Sequence, residues 1–304
     1  MPAVFVAVIF IVSLLIGSFL NVVIHRVPVM LEREWKSQAE EILRGNEQDV
    51  GLKPDLQRDP HAEAKPKYNL VVPRSACPKC DAPITAAQNI PVVSYLLLKG
   101  KCASCGVRIS VRYPLVELGT AILSALVAWK FGFVWYTAAA LLLTWVLIAL
   151  TGIDIDHQLL PDNMTLPLVW LGLLLSLAPT IAAIGLPVDP RSSIIGAAAG
   201  YLSLWSVYHV FRLLTGKEGM GYGDFKLFAA LGAWLGWQML LPIILLAALT
   251  GAVLGILMIA LRGRDRNIPI PFGPYLAAAG WLALMWGEEV VSSYLRFAGV
   301  SSVR

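Results

Sequence analysis

One polar segment, Met30 to Pro114, interrupts a chain that is otherwise a series of long apolar runs. Pro2–Val23 is the first run, and others follow at roughly 115–130, 134–153, 164–184, 192–214, 225–237, 239–261 and 270–288. About 20 apolar residues is the length of a membrane-spanning helix. The 225–237 run is short by that measure, so it is expected to tilt or to share its limits with the next run. With 57% hydrophobic and 14% charged residues, the chain carries more apolar surface than one soluble core can hide. The expected fold is an all-α polytopic membrane protein of about eight transmembrane helices, with a polar insertion after the first.

Charge order sets the topology. The first run starts uncharged and is followed by Arg26, which favours an uncleaved anchor with its N-terminus outside. Alternation then places the long polar segment, the Asp154 loop, the Gly216–Gly223 loop and Arg262–Arg266 in the cytoplasm. That side holds 20 of the 24 lysines and arginines, and the other keeps Lys130, Arg191, Arg296 and Arg304. A net charge of +4 gives no reason to expect nucleic acid as a partner. Membrane lipid is the expected surrounding.

Within the polar segment, Leu31, Trp35, Ile42 and Leu43 are spaced for an amphipathic helix that stops at Gly45 and lies on the membrane surface. Asn46 to Asn69, with Pro54, Pro60 and Pro66, reads as a linker. Cys77-Pro78-Lys79-Cys80 and Cys102-Ala103-Ser104-Cys105 contain all four cysteines. Each pair can offer two thiolates to one ion, and two pairs complete a tetrahedral, closed zinc site, structural rather than catalytic. Two disulfides or inert thiols are the alternative, and a cytoplasmic setting disfavours disulfides. Asn21, inside an apolar face, is expected to bond a neighbouring helix.

Two acidic positions stand at the edges of apolar runs. Asp154 closes the run ending at Ile153, and Asp224 opens the run from Phe225 within Gly221-Tyr222-Gly223-Asp224-Phe225-Lys226. A carboxylate at a membrane edge is expensive and reads as functional. Two complete spans lie between them, so both face the cytoplasm and parity permits them to meet. Two carboxylates sharing a water can hydrolyse an amide: the ionised one takes a proton from water, and the protonated one donates to the carbonyl oxygen or the leaving amine. Asp224 begins a predicted helix and Asp154 ends one, so the helix dipoles make Asp224 the base and Asp154 the acid. Gly221 and Gly223 would let an extended substrate lie close to Asp224. Alone, the glycine-flanked aspartate reads equally as a turn with Asp224 as helix N-cap.

These features together resemble the type IV prepilin peptidases. The resemblance rests on Gly221–Lys226, on Asp154 with Leu160-Pro161-Asp162, on Gly17-Ser18-Phe19-Leu20-Asn21, on the paired CxxC and on Asn89-Ile90-Pro91. It covers nearly the whole chain. It implies a GxGD aspartic protease of the bacterial inner membrane whose catalytic pair falls on Asp154 and Asp224. It further implies substrates that are type IV prepilins and type II secretion pseudopilins, cut after a glycine at the cytoplasmic face. Members with the cysteine segment also N-methylate the new terminus from S-adenosylmethionine, which places that activity in or near residues 30–113. The implied organisation is a first transmembrane helix over 1–27, a cytoplasmic zinc and methyltransferase segment over 28–113, and a transmembrane peptidase domain over 114–304. Asp162 is expected to cap the next helix, Asp156 to be a solvated or substrate-facing acid, and Lys226 to pair with Asp224 or to anchor its helix. An acidic rim of Asp154, Asp156, Asp162, Asp224 and Glu218 is expected to attract a basic leader. An ion or metabolite carrier with acidic pathway residues is the rival class. Carriers bind near the midplane in repeated halves, whereas these acids sit at span ends. No HExxH occurs, which removes a zinc protease of that type.

Overall fold

The computed structural model describes residues 2–49, 68–85, 87–178, 186–262 and 271–297. Helices dominate these residues: α1 (Pro2–Asp49), a short α2 (Val93–Leu97), α3 (Arg112–Phe131), α4 (Trp135–His157), α5 (Asp162–Leu177), α6 (Pro190–Thr215), α7 (Tyr222–Leu235), α8 (Leu240–Arg262) and α9 (Gly273–Phe297). The only β pairings described are two isolated bridges beside the cysteines. The fold is therefore all-α, and the apolar runs became helices much as their lengths demanded.

Local sequence sets several ends. Asp189 caps α6 by accepting from the Ser192 N–H at 3.1 Å, Pro190 fills the first turn, and Gly216 closes the helix in the left-handed region. Gly132 closes α3. Gln158 closes α4 at φ 51°, turning the chain directly after the turn that carries Asp154.

Helix α7 is the centre of the larger core. Asp224, Phe225 and every residue from Leu227 to Trp234 are buried, against α5, α6 and α9. At 14 residues it is about 21 Å long, too short to cross a bilayer by itself. The chain can hold it there because α6 and α7 meet at glycine. A Cβ on Gly196 or on Gly232 would drive into the carbonyl oxygen of the other, and one on Gly200 would lie 2.7 Å from the Phe228 carbonyl oxygen. Small residues at such crossings let backbones approach and bond, here with Ser193 Oγ donating to the Ala233 carbonyl at 2.6 Å. On the opposite side Trp234 fills the space above Gly172 and donates to the Leu168 carbonyl at 2.8 Å. Gly232→Leu must move backbone rather than a side chain. We expect it to destabilise the protein by about 3 kcal/mol or more, at the upper end for overpacking. Gly119→Ala, which meets open space, is the neutral control in a thermal melt.

A second cluster joins α1 and α4 through Leu20, Val23, Ile24, Val27, Ala149 and Ile153, with Val116 of α3 packed against it. Gly17 lies against the Glu117 backbone, and Gly152 lies under Ile24. Asn21 Nδ2 donates to the Tyr113 carbonyl at 3.1 Å, so it does bond a neighbouring helix.

Two expectations are corrected. Among the described residues, five helices are long and apolar enough to cross a membrane: Ala3–Leu43, Arg112–Phe131, Trp135–His157, Pro190–Thr215 and Trp237–Met258. The count of eight spans is not confirmed among these residues, because α5 and α7 fold short and α9 runs on into Glu288 and Glu289. The amphipathic stretch 31–45 is also no separate surface helix. It continues α1 through Pro28 and Gly45. Contacts outside the ladder help hold it: the Glu32–Lys36 pair at 4.0 Å, and Arg33 over the Tyr68 ring at 4.1 Å. Most of the expected linker, residues 50–67, lies outside the described residues.

Candidate active site and metal centre

The two CxxC pairs form matching knuckles. In the first, the Cys77 N–H donates to the Ala82 carbonyl at 3.0 Å and the Asp81 N–H to the Cys77 carbonyl at 2.9 Å. In the second, the Cys102 N–H donates to the Val107 carbonyl at 2.8 Å and the Gly106 N–H to the Cys102 carbonyl at 3.0 Å. Asp81 and Gly106, each following the second cysteine of its pair, both take positive φ. The folded knuckles bring all four sulfurs within 4.8 Å of one another. Cys77 Sγ and Cys105 Sγ are 3.8 Å apart, and all four thiols are free. Zinc–sulfur bonds of about 2.3 Å in a tetrahedron separate sulfurs by about 3.8 Å, so the set fits one closed tetrathiolate site and not two disulfides. The backbone N–H groups of Cys105 and then Ser104 hold the Cys102 thiol down at about 6. A thiolate is the form that ligates metal.

Two ties join this stretch to the helices, and a third contact joins the helices beside it. Arg26, buried at the end of the first span, donates to the carbonyls of Asn69 at 2.8 Å and Pro73 at 2.6 Å. Glu117, buried in α3, accepts the Val92 N–H at 2.8 Å. That bond holds Val92 in a left-handed conformation, at φ 60°, costly for a β-branched residue. Arg112 opens α3 and reaches the end of α4, pairing with Asp156 at 2.5 Å and donating to the Gly152 carbonyl at 3.2 Å.

Asp154 lies in the last turn of α4 and Asp224 in the first turn of α7. Both are buried, at 5% and 6% exposure, and Leu160 packs between Gly223, beside Asp224, and Gly273, which abuts Asp154. Asp154 Oδ2 and Asp224 Oδ1 have no hydrogen-bond partner in the protein. Leaving a buried polar atom unpaired costs about 1–3 kcal/mol, so two at one place mark a site held ready for something else.

The surroundings differ from the sequence reading in five ways. Gly221 is the N-cap of α7 and Asp224 lies inside its first turn, so Asp224 is not the cap. Gly223 is required by Leu160, whose Cβ would lie 2.6 Å from a Cβ placed there, whereas Gly221 has Asp224 Oδ2 as its nearest neighbour at 3.7 Å. Only Gly221 leaves space beside the acid. Asp162 is the first residue of α5 rather than its cap, and it takes Lys226 at 2.5 Å and 2.7 Å. Lys226 thus binds α7 to α5 and does not pair with Asp224. The acidic rim is largely neutralised, since Arg112, Lys226 and Arg212 pair with Asp156, Asp162 and Glu218. Finally, a third helix end reaches the pair. The first residue of α9, Gly273, lies against the Asp154 carboxylate, where a Cβ would come within 2.5 Å of Oδ2. Asp154 therefore faces a helix N-terminus as well as ending α4, and helix ends no longer divide acid from base. The sequence signal for this contact was Pro271-Phe272-Gly273-Pro274, a rigid turn opening an apolar run.

Comparison with known proteins gives the family. Residues 11–131 match the bacterial peptidase A24 N-terminal domain, and residues 141–256 match the type IV leader peptidase family. A prepilin leader peptidase/N-methyltransferase of Pseudomonas aeruginosa is 54% identical over 298 residues, covering 98% of this chain and 96% of the relative. Its namesake in Aeromonas hydrophila is 56% identical over 295 residues, covering 97% and 95%. That of Xanthomonas campestris is 48% identical over 288 residues, covering 95% and 93%. No solved structure matches the chain. With a buried aspartate pair at helix ends, a four-cysteine knuckle and relatives of this identity along nearly its whole length, the chain belongs to the type IV leader peptidase family.

Proposed function

We propose that this protein is a membrane aspartic endopeptidase that removes the leader from type IV prepilins and type II secretion pseudopilins. It cuts after a glycine at the cytoplasmic face of the inner membrane and then methylates the new N-terminal amine. The observation that carries the hydrolytic reading is the pair of unpartnered oxygens, Asp154 Oδ2 and Asp224 Oδ1, on two buried carboxylates. With one proton between them, the ionised carboxylate takes a proton from water as the water oxygen attacks the scissile carbonyl. The protonated one donates to the carbonyl oxygen, and a proton then passes to the leaving amine as the carbon–nitrogen bond breaks. Gly221, open on the side of Asp224, leaves room for an extended peptide there.

Zinc is the ion we assign to Cys77, Cys80, Cys102 and Cys105. Four thiolates leave no open position, so its role is to shape the segment 28–113. S-adenosylmethionine, when bound, supplies an electrophilic methyl group to the free amine. We place its use in that segment, between the first transmembrane helix at 1–27 and the peptidase domain at 114–304. The carrier reading is not supported, since the relatives carry the names of enzymes.

The test is purified protein in detergent with a synthetic prepilin peptide, read by mass spectrometry. Two products cut after the glycine are expected, and the C-terminal product should gain one methyl group only when S-adenosylmethionine is present. An intact peptide would refute the hydrolytic reading, and an unmethylated product with donor present would refute the second activity.

A further inference from the structure

We infer that Gly273 is a positioning residue for Asp154, acting through the side chain it lacks. This rests on reading Asp154 and Asp224 as the catalytic pair. Gly273 opens α9, where the first N–H groups have no acceptor within the helix. The Tyr275 and Leu276 N–H groups both donate to the Phe272 carbonyl, each at 3.1 Å, and Pro274 has no N–H to give. The Gly273 N–H likewise has no acceptor within α9. Asp154, from the end of α4, lies against this turn.

What matters is the missing side chain. A Cβ on Gly273 would lie 2.5 Å from Asp154 Oδ2, 3.2 Å from its Cγ and 3.2 Å from Leu160 Cδ1. Gly273 is not among the glycines with positive φ, so close approach, rather than backbone conformation, demands the glycine. The atom it would displace is the unpartnered oxygen of the pair. Leu160 also packs on Gly223, next to Asp224, so one side chain spaces the two glycines that flank the two acids.

Gly273→Ala in the full-length protein tests this. We expect kcat for leader removal to fall about 100-fold, as for a misplacement of about 1 Å, with KM changed less than about threefold. Methyl transfer to a pre-cleaved peptide should persist. The melting temperature should drop for Gly273→Ala alone but not when it is added to Asp154→Ala, where the opposing carboxylate is gone. If Gly273→Ala does not fold, the double variant should. Normal kcat, or the same thermal loss in both backgrounds, overturns the inference. If Asp154→Ala itself cuts normally, the catalytic reading fails instead, and the two failures are distinguishable.

Discussion

Stripping the metal from Cys77, Cys80, Cys102 and Cys105 is expected to unfold the stretch between α1 and α3 and to abolish methyl transfer. The reason is the scarcity of any other core. Among the described residues from 68 to 111, only Cys77, Pro91 and Gly100 are buried. A segment that small cannot stabilise itself by apolar burial. Structural zinc contributes about 10–16 kcal/mol to comparable small sites, far more than the ties at Arg26 and Glu117 can replace. Chelation, or Cys102→Ser, should remove hydrogen-exchange protection from the N–H groups of Cys77, Asp81, Cys102 and Gly106. Those groups are bonded only within the knuckles. Protection and both activities surviving in metal-free protein would mean that the four-cysteine site is ornamental. Metal analysis should find one zinc per chain.

Asp154→Asn and Asp224→Asn should each remove nearly all cleavage. Positioned proton transfer is worth about 10²–10⁴-fold in rate, and two groups acting as a unit are lost together when either is lost. Asparagine keeps the size of the side chain but cannot exchange a proton. Stability should not fall with activity. Both acids are buried with an oxygen unpaired, a cost borne for function, so the variants should melt at the same or a higher temperature. Methyl transfer to a pre-cleaved peptide should be kept, because the knuckle residues are untouched.

What could be read in advance follows from how local each signal is. The metal centre depends on two three-residue spacings, so its ligand set was legible at once. Helix type and rough limits followed from run length. Asp154 and Asp224 were linked by counting spans, although α5 fell short of the length that count assumed. Contacts between distant segments were not legible. Asp162 and Lys226 are 64 residues apart, and Asp154 and Gly273 lie on different helices, so nothing in their spacing announces either contact. The helix-end assignment of acid and base was drawn from α4 and α7 alone, without the N-terminus of α9. The unbroken α1 shows a different limit. Pro28 and Gly45 are each unfavourable in a helix, but a helix seated in a membrane bundle at one end and tied to Tyr68 and Pro73 further on can carry both.

The most direct measurement is the rate of leader removal by wild type, Asp154→Asn and Asp224→Asn in the same detergent, with methyl transfer to a pre-cleaved peptide as the check on folding. The expected result is cleavage by wild type alone and methyl transfer by all three. Leader removal at the normal rate by either aspartate variant would contradict the assignment of this pair.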